Sequence, residues 1–553
     1  MRNYITLCLI VILIVSCSHP SQNHGKVSKV DSLALKQAKI NGDLANEGLQ
    51  RCQRFVTDWL AKADTTTGLI PRNLDESLDI WNAQDAAADN YPFMVLTAAL
   101  TDSNLFQGRM LDMLHTETRL TSRLGNLPDT YSFSKKGFET QEYDLHNLLF
   151  GSSEYIKDGL LPLTEWLGPS PWSERMIAIL DDIWKYAPVK TAYGNIPSTN
   201  VELNGEMLQV LSRIYWMTGK GKYLEWATRL GDYYVFGDHH PTRNFEALRL
   251  RDHGCEIVSG LCELYATLSK ANPEKKEVYQ PHIHEMLNRI LAVGRNDDGL
   301  FYNAVDPKSG TVKWEGTADN FGYTLNGFYT VFQIDSVEAY REATIKALAV
   351  LDKKYRNFDW EQGSSDGYAD AIEGALNLYA REPLPSTEAW IESEIQVMWS
   401  LQDSSHRKNA QQWKGSGIIE GWHGDGNFAR TTIMYCLWKS QGATIQPWRS
   451  DIKLGAVDSD DGIILSIKAD EDWQGILKFD APRHHTIMQM PADWPRINQF
   501  PEWFTVNQEK AYEVKDLTNG SSTNYKGKQL LEGIELALKK DVIHPIKVSP
   551  IGK

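Results

Sequence analysis

The stretch RLRDHGCEIVSGLCELYA, residues 249–266, opens with charged groups and then turns apolar. Arg249, Arg251, Asp252, His253 and Glu256 all stand at its start. A helix needs a single N-cap, and Asp is among the best, so this cluster exceeds what capping requires. Guanidinium groups bind anions in pairs of hydrogen bonds, and an imidazole beside a carboxylate can move a proton. The stretch therefore predicts one part of a reactive site.

The same polar spacing recurs in other apolar helices of the chain. An Asp is followed four residues later by a second polar group, and four residues after that by Gly. The instances are Asp252–Glu256–Gly260, Asp319–Tyr323–Gly327, Asp366–Asp370–Gly374 and the half-pattern Asp85–Asp89. Residues four apart share one helical face. Each pattern therefore predicts two polar groups on one face at a helix start, and a Gly where two helices approach closely.

Two kinds of helical segment alternate between residues 41 and 440. One kind is amphipathic, as in SERMIAILDDIWKYA, and the other is apolar on more faces, as in IVSGLCELYATL. Their period of about 50 to 65 residues exceeds the roughly 34 residues of a tetratricopeptide unit. The pattern predicts a mainly α fold, in which residues 41–443 form an (α/α) toroid of six or seven helical hairpins. The more apolar helices would form the inner ring, and this toroid would be the catalytic domain.

The two ends of the chain differ from this helical repeat. Segments such as GIILSIKA and AYEVKD read as short strands, so residues 444–553 are predicted to form a β-sandwich.

The N-terminal stretch MRNYITLCLIVILIVSC, residues 1–17, resembles a lipoprotein signal in which Cys17 is lipidated. Residues 18–40 would be a polar tether. We expect an exported outer-membrane lipoprotein, with the periplasmic face favoured, that meets the membrane only through its lipid.

Composition excludes several classes of partner and site. The formal net charge of −15 argues against nucleic-acid binding, which needs clustered Lys and Arg. Cys52, Cys255, Cys262 and Cys436 form no Cys-x-x-Cys pair, so they predict buried thiols rather than a zinc site. No metal and no cofactor is predicted.

In a toroid the starts of the inner helices meet at one mouth, so their polar groups should converge on one pocket. The groups expected there are Asp85, Asp89, Glu154, Asp158, Asn204, Glu206, Asp252, His253, Glu256, Asp319, Tyr323, Asp366, Tyr368, Asp370, His423, Asp425 and Arg430. Several carboxylates around a pocket suit glycoside hydrolysis, in which one acid protonates the leaving oxygen and a carboxylate attacks the sugar or activates water.

Within this set we assign predicted roles. Glu256 is the candidate acid, Asp366 or Asp85 the candidate base, and His253 beside Asp252 the candidate proton carrier. Groups expected to bind substrate are Arg249, Arg251, Trp81, Asp370, Tyr323, Trp422, His423 and Arg430, with the arginines holding a sugar carboxylate and the tryptophans stacking on sugar rings. Two plainer interpretations stay open: each Asp only caps its helix, or each buried carboxylate only pairs with Arg or Lys.

Three segments also carry a resemblance. DHGCEIVSGLCELY, SSDGYADAIEGALNLY and WHGDGNFARTTIMYCLW, with the signal and the β-domain, resemble glycan-degrading enzymes of Bacteroidetes. Within that group the chain is most similar to glycoside hydrolase family 154, whose known activity is β-glucuronidase. The resemblance implies exo-acting removal of glucuronic acid, with an oligosaccharide or polysaccharide containing uronic acid as substrate.

Two other functions remain open at this point. A polysaccharide lyase would use His253 or Tyr323 as base and Arg251 to neutralise the uronate carboxylate before β-elimination. A non-catalytic glycan-binding lipoprotein would need the aromatic residues but not the converging carboxylates. That interpretation gains if Glu256 and Asp370 are salt-bridged away from any cavity.

Overall fold

The computed structural model describes residues 29–404 and 413–552. The predicted signal peptide, Cys17 and the first part of the predicted tether lie outside these residues. Among the helices that are described, none is long and apolar enough to cross a membrane.

The bounds of the elements are as follows. The α-helices are α1 Lys29–Leu60, α2 Tyr91–Thr101, α3 Ser103–Leu105, α4 Leu111–Thr121, α5 Leu145–Glu154, α6 Leu161–Leu167, α7 Pro171–Lys185, α8 Val201–Thr218, α9 Gly221–Val235, α10 Glu256–Ala271, α11 Pro273–Val293, α12 Phe321–Asp335, α13 Glu338–Lys354, α14 Ser365–Tyr379, α15 Pro385–Ser404, α16 Gly424–Lys439, α17 Arg483–Thr486 and α18 Gly527–Glu532. The strands are β1 Ile80–Trp81, β2 Ser122–Leu124, β3 Leu127–Pro128, β4 Tyr131–Ser132, β5 Gly137–Phe138, β6 Val189–Thr191, β7 Gly194–Ile196, β8 Leu248–Arg249, β9 Tyr302–Val305, β10 Val312–Thr317, β11 Thr444–Gln446, β12 Ile452–Ser459, β13 Gly462–Ala469, β14 Trp473–Lys478, β15 Ala511–Asp516, β16 Ser522–Lys526, β17 Ile534–Leu538 and β18 Ile543–Pro550. Three π-helical segments are Ala83–Asn90, Phe106–Met110 and Tyr155–Leu160, and two 3-10 turns are Asp252–Cys255 and Trp360–Gly363.

The inner helices form a closed ring. Each packs against the next: the α2 segment against the α5–α6 segment, this against α8, and then α10, α12, α14 and α16, which returns to α2. The outer helices lie against them, for example α9 on α8, α11 on α10 and α15 on α14. The predicted toroid is therefore confirmed, and the part of the chain that the structure describes forms seven hairpins.

The first outer helix begins earlier than the sequence predicts. α1 starts at Lys29, so residues 29–40 are helical and the prediction of a tether up to residue 40 is wrong for this part. The physical reason is packing on strand β12, where the Asn41 side-chain amide donates to the Ala456 carbonyl at 2.8 Å and Gly42 meets the backbone of Gly455. The face of the sheet that contains β12 therefore covers the first part of α1.

The C-terminal region is a β-sandwich, as predicted. A five-stranded sheet has the order β12-β13-β18-β15-β16, and a three-stranded sheet has the order β11-β14-β17. Ile463, Leu465 and Ile467 of β13 and Leu477 of β14 share one buried core between the sheets. Their alternation along β13 follows the two-residue period of a strand. The predicted sandwich is therefore built on one apolar face from each sheet.

One loop of the β-domain packs inside the toroid. Residues 487–500, the floor loop, place Met488, Met490, Trp494 and Phe500 in the toroid core. Ile497 packs against Cys255 and Tyr323 of two inner segments. The domain boundary predicted at residue 444 therefore does not separate two independently packed units, because the ring takes part of its core from beyond it.

Close approaches between inner helices occur at glycines of the repeated pattern. A Cβ built on Gly374 of α14 would lie 2.8 Å from the Cα of Gly322 in α12, nearer than real Cβ contacts allow. Gly260 of α10 similarly meets the backbone of Gly205 in α8. The expected role of Gly260 and Gly374 as contact points is confirmed.

We expect Gly374→Ala to destabilise the protein by about 1 to 3 kcal/mol, the usual range for overpacking. The clash is with backbone, which cannot move aside as a flexible side chain does. The measurement is the denaturant midpoint of unfolding. Gly108→Ala is the matched control, because nothing lies within 4 Å of its Cβ position and Ala favours helix by about 0.5 to 1 kcal/mol. Equal midpoints for the two variants would contradict this account of the ring.

Candidate active site in the ring

The starts of the inner helices surround a cavity of about 340 Å³, the central pocket. Its ten carboxylates are Asp85, Asp89, Glu154, Asp158, Glu202, Asp252, Glu256, Glu361, Asp366 and Asp370. Its basic residues are Lys157, His253, His423 and Arg430, and its remaining lining residues are Gln84, Phe150, Asn320, Tyr323 and Asn427. A cavity of this size with converging polar groups is the usual form of a ligand site.

Most of the residues selected from the sequence line this pocket. They are Asp85, Asp252, His253, Glu256, Tyr323, Asp366, Asp370, His423 and Arg430. They come from hairpins far apart in the chain, and the closed ring brings them together.

Irregular backbone positions several of these groups. The π-helical segment Ala83–Asn90 carries Asp85 and Asp89, and the segment Tyr155–Leu160 carries Asp158. Asp252 itself stands at φ 54°, a left-handed conformation that costs energy for a residue other than Gly. π-turns and strained dihedrals concentrate at functional sites, and here they coincide with the pocket wall.

Asp366 is held in the ionised form. Its Oδ1 accepts from Asn427 Nδ2 at 2.7 Å, and its Oδ2 lies 3.6 Å from His423 Nε2. Burial acts to raise the pKa of Asp366, but His423, Asn427 and the charge of Arg430 outweigh it and hold that pKa well below its usual range. Burial lowers the pKa of His423, yet the surrounding aspartates, chiefly Asp366, raise it to about 10.

The surroundings of Asp89 shift its pKa in the opposite direction to that of Asp366. Burial raises the pKa of Asp89 to about 8, with the negative charges of Asp158, Asp85 and Asp366 adding to the effect and His423 opposing it. Within the described residues, no hydrogen bond from another residue holds the Asp89 carboxyl group. The same pocket therefore combines a carboxyl group whose pKa is raised, Asp89, with one whose pKa is lowered, Asp366.

Glu256, the predicted acid, and Asp85, the alternative base, both accept hydrogen bonds from other side chains of the protein. Glu256 Oε1 accepts from Lys157 Nζ at 2.6 Å, and its Oε2 accepts from the side chain of Gln209. Asp85 Oδ2 accepts from Arg72 Nε at 2.7 Å. Its Oδ1 accepts from Trp422 Nε1 at 3.4 Å. Both groups line the pocket, but their oxygens are engaged with protein donors.

A buried network closes one side of the pocket. Arg430 Nη2 donates to Asp370 Oδ1 at 2.6 Å and lies 2.9 Å from Glu373 Oε2. Tyr323 Oη donates to the same two carboxylates, at 2.9 and 3.0 Å. Burial raises the pKa of Tyr323 well above its usual range, despite the opposing charge of Arg430.

Four of the residues that were given a role, and five others expected in the pocket, do not line it; the five are Asn204, Glu206, Asp319, Tyr368 and Asp425. Arg249 pairs with Asp252 and faces a neighbouring groove. Arg251 Nη2 donates to Glu361 Oε1 at 2.8 Å. Trp422 donates to Asp85 and has the Arg72 guanidinium 5.4 Å from its ring centroid.

Trp81 corrects a prediction outright. It is 2% exposed and belongs to the toroid core. Since its ring has no free face, it cannot stack on a sugar.

Sequence reasoning missed several residues of the site. Lys157, Glu202 and Glu361 line the pocket but lie outside the repeated spacing. Asn498 of the floor loop donates from Nδ2 to Asp158 Oδ1 at 2.7 Å and from its backbone to Glu373 Oε1 at 2.6 Å. The lysine that stands between Glu154 and Asp158 in EYIKDGLLPL was an available signal, since a buried lysine requires a carboxylate partner.

One group of pocket residues has the composition of a metal site. Ligand atoms of Glu154, Glu202, Glu206 and His253 all lie within 4.8 Å of one another. The described residues thus offer three carboxylates and one imidazole at one point of the wall.

Comparisons with known proteins give distant likenesses. No family model and no curated protein matches the chain. An inactive variant of the α-1,6-mannanase GH76A of Salegentibacter sp. HEL1_6, in complex with α-1,6-mannotetrose, is 11% identical, with 70% of this chain and 98% of that one covered and a TM-score of 0.40. The unsaturated glucuronyl hydrolase of Bacillus sp. GL1 is 13% identical over 53% of this chain and 86% of that one, with a TM-score of 0.35. Likenesses this weak assign no function, and they do not show glycoside hydrolase family 154.

Proposed function

We propose that this chain is a glycoside hydrolase in which Asp89 is the general acid and Asp366 is the base or nucleophile. The observation that carries the proposal is that one pocket holds an unpartnered carboxyl group at Asp89 and a carboxylate at Asp366 that is held by Asn427 and His423. Two carboxyl groups whose surroundings push their pKa values apart divide the roles of acid and base between them.

The chemistry follows from these two states. Asp89 transfers its proton to the glycosidic oxygen as the bond to the anomeric carbon breaks, so the leaving group departs as a neutral alcohol. The Asp366 carboxylate either attacks the anomeric carbon or removes a proton from the attacking water. Asn427 and His423 keep Asp366 oriented and ionised, and the developing positive charge on the sugar is favoured by the surrounding carboxylates.

The elimination mechanism has less support. The Tyr323 hydroxyl donates to Asp370 and Glu373, and its raised pKa makes it a poor base. Arg251, expected to neutralise a uronate, is bonded to Glu361. The non-catalytic alternative also loses support, because Glu256 and Asp370 are salt-bridged but still line the cavity.

The substrate class is a separate part of the proposal. The resemblance implies a uronic acid, but Arg249, Arg251 and Arg430 are each paired with a carboxylate of the protein. Lys157 is paired with Asp158 and Glu256. The pocket therefore offers an anionic sugar no unpaired Arg or Lys among its described lining residues, and we propose that the unit bound beside Asp89 and Asp366 is a neutral sugar.

A substrate panel tests this function. The purified protein would be incubated with oligosaccharides capped by neutral hexoses, glucuronic acid or galacturonic acid, with product analysis and ultraviolet absorbance. Saturated sugar released from the neutral caps supports the proposal. Release from the uronate caps alone would overturn the substrate class, an absorbing unsaturated product would overturn hydrolysis, and binding without any product would favour a glycan-binding protein.

Asp89→Asn should lower kcat by about 10²- to 10⁴-fold, the range for loss of a general acid. The loss should shrink for aryl glycosides with acidic phenol leaving groups, because these depart without protonation. In the wild type, activity should fall as the pH rises through about 8, where Asp89 loses its proton. The measurement is kcat against pH for two leaving groups. An equal loss with both would remove Asp89 from the acid role.

A further inference from the structure

A cluster of ionisable side chains on the pocket wall comes from three segments of the chain. These are the start of α8, the end of α5 and the 3-10 turn before α10. Glu202 and Glu206 stand four residues apart in α8, so they share one face of that helix. Glu154 ends α5, and His253 lies in the turn before α10. His253 Nδ1 is 3.4 Å from Glu202 Oε1 and 3.9 Å from Glu154 Oε1.

Glu206 provides the observation that points to a ligand. It is 0% exposed, and neither of its carboxylate oxygens has a hydrogen-bond partner among the described residues. One of these oxygens lies within 4.8 Å of the ligand atoms of the other three residues. A buried carboxylate without a partner is strongly unfavourable, and it is aimed at the one point where two more carboxylates and an imidazole meet.

The His253 ring has the orientation of a metal-binding histidine. His253 Nδ1 faces the cluster, while Nε2 lies 3.2 Å from Asp252 Oδ1. Histidines that bind metals almost always donate the other ring N–H to a carboxylate or carbonyl, which fixes the tautomer and the ring plane. Asp252 would then position His253 rather than act on substrate.

We propose that Glu154, Glu202, Glu206 and His253 bind one divalent transition-metal ion, Zn²⁺ or Mn²⁺. A point among four atoms this close is about 3 Å or less from each, so shifts of under about 1 Å reach ligand distances of about 2.0 to 2.2 Å. Imidazole selects against Ca²⁺ and Mg²⁺, which prefer oxygen ligands alone. Since Glu154, Glu202 and His253 line the pocket, an ion that takes more than four ligands, such as Mn²⁺, would present its remaining positions to the cavity. The inference does not depend on the proposed hydrolase chemistry.

Titration calorimetry on the full, chelator-treated protein with ZnCl₂, MnCl₂ or CaCl₂ tests the site. We expect one Zn²⁺ or Mn²⁺ per chain and much weaker Ca²⁺ binding. Glu206→Gln keeps the shape but removes the charge, and it should weaken binding by at least about 100-fold. Glu361→Gln is the matched control, because it removes one charge from the same pocket outside the cluster, and it should change the affinity by less than about 3-fold.

Several results would overturn the site. They are the absence of saturable binding of both transition metals, an equal loss in the two variants, and an anomalous-scattering peak located away from the four residues. If Glu206→Gln fails to fold, Asp252→Ala takes its place, since it removes the oxygen beside His253 Nε2 and loss of that orientation should weaken binding by about 10- to 100-fold. Unchanged affinity in that variant would equally count against the proposal.

Discussion

Asp366→Asn is expected to lower kcat by about 10⁴-fold, the upper range for loss of a catalytic base. The change removes a pocket carboxylate whose pKa is held far below its usual range by His423, Asn427 and Arg430 against the opposing effect of burial. Asn matches Asp in shape and can still accept from Asn427, so the helix start should stay intact. We therefore expect a lower kcat with an unchanged fold.

The measurement is kcat on the best substrate of the panel, with circular dichroism as a check of folding. Asp319→Asn is a suitable control because Asp319 occupies the same place in the repeated pattern but is not among the residues that line the pocket. It should keep kcat within about 10-fold. Added azide should restore turnover of Asp366→Asn if Asp366 is a nucleophile. More than a tenth of wild-type kcat in Asp366→Asn would exclude Asp366 from the chemistry.

Arg213→Met is expected to destabilise the fold by about 3 to 5 kcal/mol, as when one partner of a buried ion pair is removed. Arg213 is 1% exposed and lies 2.7 Å from Glu263 and 3.3 Å from Glu165. It also donates to the carbonyl of Ile497 in the floor loop at 3.3 Å. The substitution leaves two buried carboxylates without this partner and removes a hydrogen bond that holds the floor loop.

Urea unfolding measures this effect, and a surface pair provides the comparison. Arg341 makes a two-pronged pair with Glu382, at 2.6 and 2.9 Å, but its side chain is 39% exposed. Arg341→Met should therefore cost about 1 kcal/mol or less, because exposed pairs are screened by water. If both variants shift the midpoint equally, the floor loop is not held by buried charge.

The architecture could be predicted from the sequence because it rests on local patterns. Apolar residues at a 3.6-residue period define helices, and Gly260 and Gly374 mark the contacts between them. Their regular recurrence requires repeated hairpins, and the change to two-residue alternation after residue 444 requires strands. The start of α1 was misplaced because its sheet partner lies some 400 residues away, and no local signal reports that contact.

The site could be predicted only as a set of residues. Spacing put Asp85, Asp252, Glu256, Asp366 and Asp370 at helix starts, and a ring of parallel starts brings them to one mouth. It could not distinguish Trp81, which is buried, from an exposed tryptophan. The four residues of the proposed metal site were missed as a set because they come from three separate segments.

The sequence by itself determined the helical toroid, the β-sandwich and the ring of acidic groups at the inner helix starts, because these depend on periodicity and capping along one segment. Only the tertiary structure decided which carboxylates are occupied, that Lys157 engages Glu256, and that a loop of the β-domain contacts the pocket wall through Asn498. It also decided that the pKa of Asp89 is raised and that of Asp366 lowered. The physical reason is that a pKa and an ion pair depend on burial and on neighbours within a few ångströms, and in a closed ring those neighbours come from other hairpins.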